Sequence, residues 1–118
     1  MKQGKIIAAY YELLKLNRIP GLPFTVCNRL YLLKSKLQPY FDSQLEQENV
    51  ILEAHGQTSG QYEITPEISK EFKAISESDV DYDGKPVEIV VTDELAEKMG
   101  LTGETIGNLD GFVIFTEG

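Results

Sequence analysis

The chain has 118 residues, 42% of them hydrophobic, with eleven basic and nineteen acidic side chains and a net charge of −8. That hydrophobic share excludes a disordered chain, the length fits one domain, and a single cysteine excludes an internal disulfide and fits a reducing site of synthesis. The acidic balance argues against direct, general nucleic-acid binding, because neutralising phosphate takes a net basic surface.

The first predicted element is a helix over residues 3–17. Ile6, Tyr10, Leu13 and Leu14 follow a three-to-four spacing, with Ile7 and Tyr11 beside them. Asn17 is its expected stop, and Pro20-Gly21 lies just beyond. Lys2 and Lys5 followed by the apolar run Ile6–Tyr11 resemble the start of an export signal. Glu12 ends that run after six residues, short of the roughly seven to fifteen such a signal needs. No stretch reaches the ~20 apolar residues of a membrane span, so no membrane partner is expected.

Pro23 is placed as the first residue of a second helix, antiparallel to the first. Val26, Leu30, Leu33, Leu37, Tyr40, Phe41 and Leu45 carry its apolar stripe, Val50, Ile51 and Leu52 close it, and Gly56 caps it after His55. Pro39 lacks the N–H that would bond the Ser35 carbonyl. A kinked but continuous helix is expected there, since no Gly, Asn or Asp break flanks it.

Gln57–Gly60 reads as a loop and Gln61–Thr65 as a short strand. Thr65-Pro66 opens a helix over 66–77 with Ile68, Phe72 and Ile75 on one face. Asp83-Gly84 is read as a turn that lets Val80–Tyr82 pair as a hairpin with the strand Val87–Val91. Thr92 caps a helix over 93–99 stopped by Gly100, and Thr102 caps a further turn before Gly107. Phe112–Phe115 reads as a closing strand, with the final three residues fraying. The expected fold is α+β in a single domain. Residues 1–56 form a basic helical hairpin with a long proline-kinked second helix. Residues 57–118 form an acidic cap of short helices and two or three strands.

Charge is unevenly distributed. Residues 1–40 hold seven bases and one acid, Glu12, a net +6; residues 41–118 hold four lysines and eighteen acids, a net −14. Such a split suits two solvated surfaces that attract each other, or docking of the basic hairpin on acid in another molecule, which makes a protein partner or a homo-oligomer the expected partner. It also suits mimicry of nucleic acid by carboxylates running from Glu46 to Asp83.

Asp79-Val80-Asp81-Tyr82-Asp83-Gly84 matches the first half of a calcium loop, with Asp79, Asp81 and Asp83 as oxygen ligands. Its second half fails, because Val90 stands where a bidentate glutamate belongs. A hairpin turn with acidic flanks is the favoured reading, and any calcium held there would be weak. Gly100–Gly107 has no lysine followed by Ser or Thr, so its glycines are read as a helix stop and a turn and no cofactor is implied. His55 and Cys27 stand 28 positions apart in one predicted helix, too far to form a nucleophile pair, and no spacing selects a carboxylate pair for acid–base work. Catalytic residues are therefore not assigned.

Lys5-Ile6-Ile7 with Ala9-Tyr10 and Leu13, Leu22-Pro23 with Val26, Leu37-Gln38-Pro39-Tyr40, Val87-Glu88-Ile89, and Leu101-Thr102 leading to Leu109 resemble a family of short phage and prophage proteins of Gram-positive bacteria, described as a domain of unknown function. The resemblance implies a phage or prophage gene and a virion, assembly or host-interaction protein, in the host cytoplasm or built into a virion. It carries over no functional residues. A phage-encoded inhibitor of a host factor and a weak calcium-binding module are the alternative functions.

Overall fold

The computed structural model describes all 118 residues. The order of elements is α1 (Gln3–Leu16), α2 (Phe24–Ala54), α3 (Pro66–Glu77), β1 (Val87–Val91), α4 (Asp93–Met99), α5 (Gly103–Leu109) and β2 (Val113–Glu117).

The two N-terminal helices form the expected antiparallel pair. Gln3 at the start of α1 meets Gln44, while Tyr10, two turns on, bonds Gln38 (2.7 Å) and stacks on Phe41 with ring centroids 4.3 Å apart. Ile6, Ala9, Tyr10, Leu13 and Leu16 of α1 interlock with Val26, Leu30, Leu33 and Leu37 of α2. This seam, with Ile89, Met99, Leu109, Phe112 and Val113 from the C-terminal half, is one continuous core. Pro23 is the N-cap of α2, one place outside the helix expected to begin with it. α2 runs unbroken through Pro39, which is exposed and leaves the Ser35 carbonyl without its helix donor. Leu33, Leu37 and Phe41 pack on either side of that point, and this burial offsets the roughly 3 kcal/mol that an interior proline costs. His55 and Gly56 (φ +72°) end the helix, the glycine taking the left-handed backbone that side chains resist.

α2 is longer than α1, so its last three turns project beyond α1 and pack on α3. Leu52, Ile68 and Ile75 are buried there, outside the main core. The result is elongated, 52 × 28 × 23 Å, with a radius of gyration of 16.4 Å against the ~13 Å of a compact chain this long. Gly4 lets α1 approach α3 closely: a Cβ there would sit 3.0 Å from the Ser76 carbonyl oxygen. The caps read from sequence are present. Thr65, Thr92 and Thr102 hydroxyls accept from the backbone N–H groups of Ile68, Leu95 and Thr105, and Gly100 ends α4 in the left-handed region.

Three expectations are corrected. The strand Val87–Val91 does not form a hairpin with Val80–Tyr82; β1 pairs in parallel with β2, Val87 opposite Val113 through Val91 opposite Glu117. Residues 80–86 contain no turn, and Val80 instead donates its N–H to Met1. Two capped helices separate the strands, which is connection enough for a parallel crossover, and burial of Ile89, Phe112 and Val113 on the α1–α2 core rewards it. Gln61–Thr65 is not a strand, because only an isolated bridge, Thr58 to Gln61, forms. The chain end does not fray: Thr116 and Glu117 lie in β2, and Gly118 donates its N–H to Val91. As the charge count and the continuous second helix together imply, the basic character of the hairpin lies in its first forty residues. The sign changes within α2, where Arg29, Lys34 and Lys36 precede Asp42, Glu46, Glu48 and Glu53.

Candidate protein-binding face

Burial divides α2 lengthwise. Val26, Leu30, Leu33 and Leu37 face α1, whereas Phe24, Tyr31, Leu32, Leu45 and Val50 stand in solvent. Phe24 is 81% exposed, a large apolar side chain with no partner. Phe24, Asn28, Tyr31 and Ser35 lie at i, i+4, i+7 and i+11, on one face; Thr25, Arg29, Leu32 and Lys36 form the neighbouring row. Lys34 crosses the Tyr31 ring at 5.5 Å, a cation–π contact that holds a positive charge over the aromatic surface. The front half of the outer face is therefore apolar, aromatic and basic, with no acid from Phe24 to Lys36.

The sheet borders this face. Arg29 donates to the Glu88 carbonyl on the edge of β1 away from β2, and Arg29, Leu32, Leu33, Ser35, Lys36 and Val87 line a shallow groove between helix and strand. β1 and β2 turn Ile89 and Val113 inward, while Glu88, Val90 and Ile114 face solvent. Parallel sheets are ordinarily covered on both faces, so a two-stranded one with a bare outer face is unusual for a chain acting alone. A second groove, at the other end of α2, is lined by Glu46, Gln47, Val50, Ile51 and Ile75.

The residues singled out from sequence are dispersed. No three Asp, Glu, His or Cys side chains come together in a group able to hold a metal, those of Asp79, Asp81 and Asp83 included. Asp79 forms a backbone bridge with Lys2, and the Asp81 carbonyl accepts from the Tyr40 hydroxyl (2.7 Å). His55 and Cys27 sit at opposite ends of α2, ~42 Å apart along the helix. His55 pairs with Glu71 at 2.6 Å, and the Cys27 thiol reaches the Leu22 carbonyl. The carboxylates from Glu46 to Asp83 are spread over α2, α3 and the segments around them, and Glu71 and Glu77 are already engaged, by His55 and Lys73. Glu48 is partly desolvated, which raises its pKa above 4.5 despite a hydrogen bond from Gln44.

Sequence reasoning missed Phe24, Leu32 and Val50 as surface residues. Their signal was present as apolar side chains off the buried 26–30–33–37 row. No helix is long and apolar enough to cross a membrane. No family model, curated protein or solved structure matches the chain.

Proposed function

We propose that this chain is a non-enzymatic phage or prophage protein that works through protein–protein contact, as an accessory of the virion or of its assembly, in the host cytoplasm or incorporated in the particle. The observation that carries the contact reading is the outer face of α2. Phe24, Tyr31 and Leu32 are large and exposed on two neighbouring rows of one helix, and Arg29, Lys34 and Lys36 lie among them. Exposed apolar area rimmed by one sign of charge is the mark of an interaction surface. The phage origin rests on the residue resemblance given above.

The test is cross-linking and affinity capture from phage-producing cells. The intact chain is compared with Phe24→Ser and Tyr31→Ser variants, whose substitutions lie on the surface and leave the core untouched. The expected result is a specific contact made by the intact chain and lost by both variants. A chain that captures no protein, its own copies included, at any salt concentration overturns the reading.

A further inference from the structure

The charges of α2 reinforce its dipole. The N-terminal half carries Arg29, Lys34 and Lys36, the C-terminal half Asp42, Glu46, Glu48 and Glu53, and neither terminal turn holds a compensating charge. Helices gain stability from the opposite arrangement, acids near the N-terminus and bases near the C-terminus. A rod polarised in this way is complementary to a copy of itself laid antiparallel.

The register is written in the exposed row Arg29, Leu32, Lys36, Pro39, Ser43, Glu46, Val50, Glu53, whose steps alternate three and four as in a coiled-coil seam. Every member is exposed. Arg29 and Glu53 lie twelve positions either side of residue 41, Leu32 and Val50 nine, Lys36 and Glu46 five, Pro39 and Ser43 two. A two-fold axis crossing the helix at that level sets base against acid at 29/53 and 36/46 and apolar against apolar at 32/50, with Pro39 facing Ser43 next to the axis. Leu32 is 53% and Val50 61% exposed in the single chain. The two grooves obey the same relation: Leu32, Ser35 and Lys36 line one, and their counterparts Val50, Gln47 and Glu46 line the other.

We infer that the outer face of α2 is a self-complementary interface, and that its occupant is the α2 of a second copy of this chain, antiparallel, in a closed two-fold dimer. The inference rests on the contact reading above and names the partner. Each half-interface places Arg29 opposite Glu53, Leu32 opposite Val50 and Lys36 opposite Glu46 of the other copy, and symmetry makes every contact twice. The pairs are solvent-facing, so the dimer is weakened by salt.

Sedimentation equilibrium of the purified full-length chain, at about 50 mM and about 500 mM salt, reads this directly. The expected species is a dimer at low salt that dissociates as salt rises. Lys36→Glu and Glu46→Lys each turn two attractions into repulsions and weaken self-association by about 100-fold or more. Mixing the two variants restores every pair, so the mixture forms a heterodimer while each variant alone stays monomeric. That rescue also shows that both variants are folded. Leu32→Cys mixed with Val50→Cys gives a disulfide-linked dimer under oxidation, and neither variant alone reaches the same yield.

A chain that is monomeric at millimolar concentration in low salt, a dimer indifferent to both reversals, or a mass that grows past the dimer overturns the inference. If the purified chain is monomeric but still captures another phage protein through Phe24 and Tyr31, the dimer is refuted and the contact function stands. If it also captures nothing, both fall.

Discussion

Asn108 donates its side-chain amide to the Glu12 carboxylate at 3.0 Å, joining α1 to α5 across 96 positions of sequence. Glu12 is the one acid among the first forty residues, and its side chain is 8% exposed. Lys15, one turn further along α1, approaches the same oxygen at 3.7 Å. The lone acid of the basic segment thus works as an internal strut. Glu12→Ala leaves the Asn108 amide without its acceptor and lowers stability by about 1–3 kcal/mol. Glu12→Gln keeps an acceptor oxygen and costs less. Urea denaturation midpoints of the two variants separate a hydrogen-bonding role from a charge role.

Pro39→Ala restores the N–H that the Ser35 carbonyl lacks. Residue 39 is exposed, so no core contact is lost. The variant is more stable by about 1–3 kcal/mol, seen as a higher thermal midpoint. An unchanged midpoint would show that the helix has already adapted to the proline.

The Tyr82 ring packs against the Tyr40 and Phe112 rings, and its hydroxyl is buried beside Gly84 without a hydrogen-bond partner. Its pKa is raised by desolvation first, then by Tyr40 and Asp83. Tyr82→Phe removes the orphaned oxygen while keeping the ring, and stabilises the fold by about 1 kcal/mol. Gly84→Ala works the other way, because its Cβ would collide with that hydroxyl. Chemical denaturation of the two variants is expected to move in opposite directions.

Glu48 governs one part of the pH dependence. Burial raises its folded pKa above the ordinary 4.5, so the unfolded chain loses the proton first as pH rises. Stability from this group is full below about pH 4, falls as pH climbs past 4.5, and is lost once pH exceeds the folded value. Glu48→Gln cannot ionise. It is therefore more stable than the parent at pH 7, and the difference closes on acidification below about pH 4. A constant difference across that range would place the origin of the effect outside ionisation.

Much of the chain is legible residue by residue. Thr65-Pro66, Thr92 and Thr102 announce their helices because a cap needs only a hydroxyl three places before an N–H, a relation local to the sequence. The inner row of α2 is legible as far as Leu37 because one helix face buries against one neighbour. Beyond that the reading weakens. Leu45 continues the apolar pattern yet stands exposed, because α1 ends opposite Gln44 and periodicity does not say how far a partner helix extends.

What the sequence determined alone was the local physics: which segments are helical, where they stop, which strand residues are apolar, and that opposite charges fill opposite ends of the chain. Tertiary structure decided the rest. It paired Val87–Val91 with a strand two helices away in place of the adjacent Val80–Tyr82. It also turned Leu32 and Val50 outward on the same row. These outcomes depend on which surfaces meet across long separations, and that is a sum over contacts no short window of sequence contains.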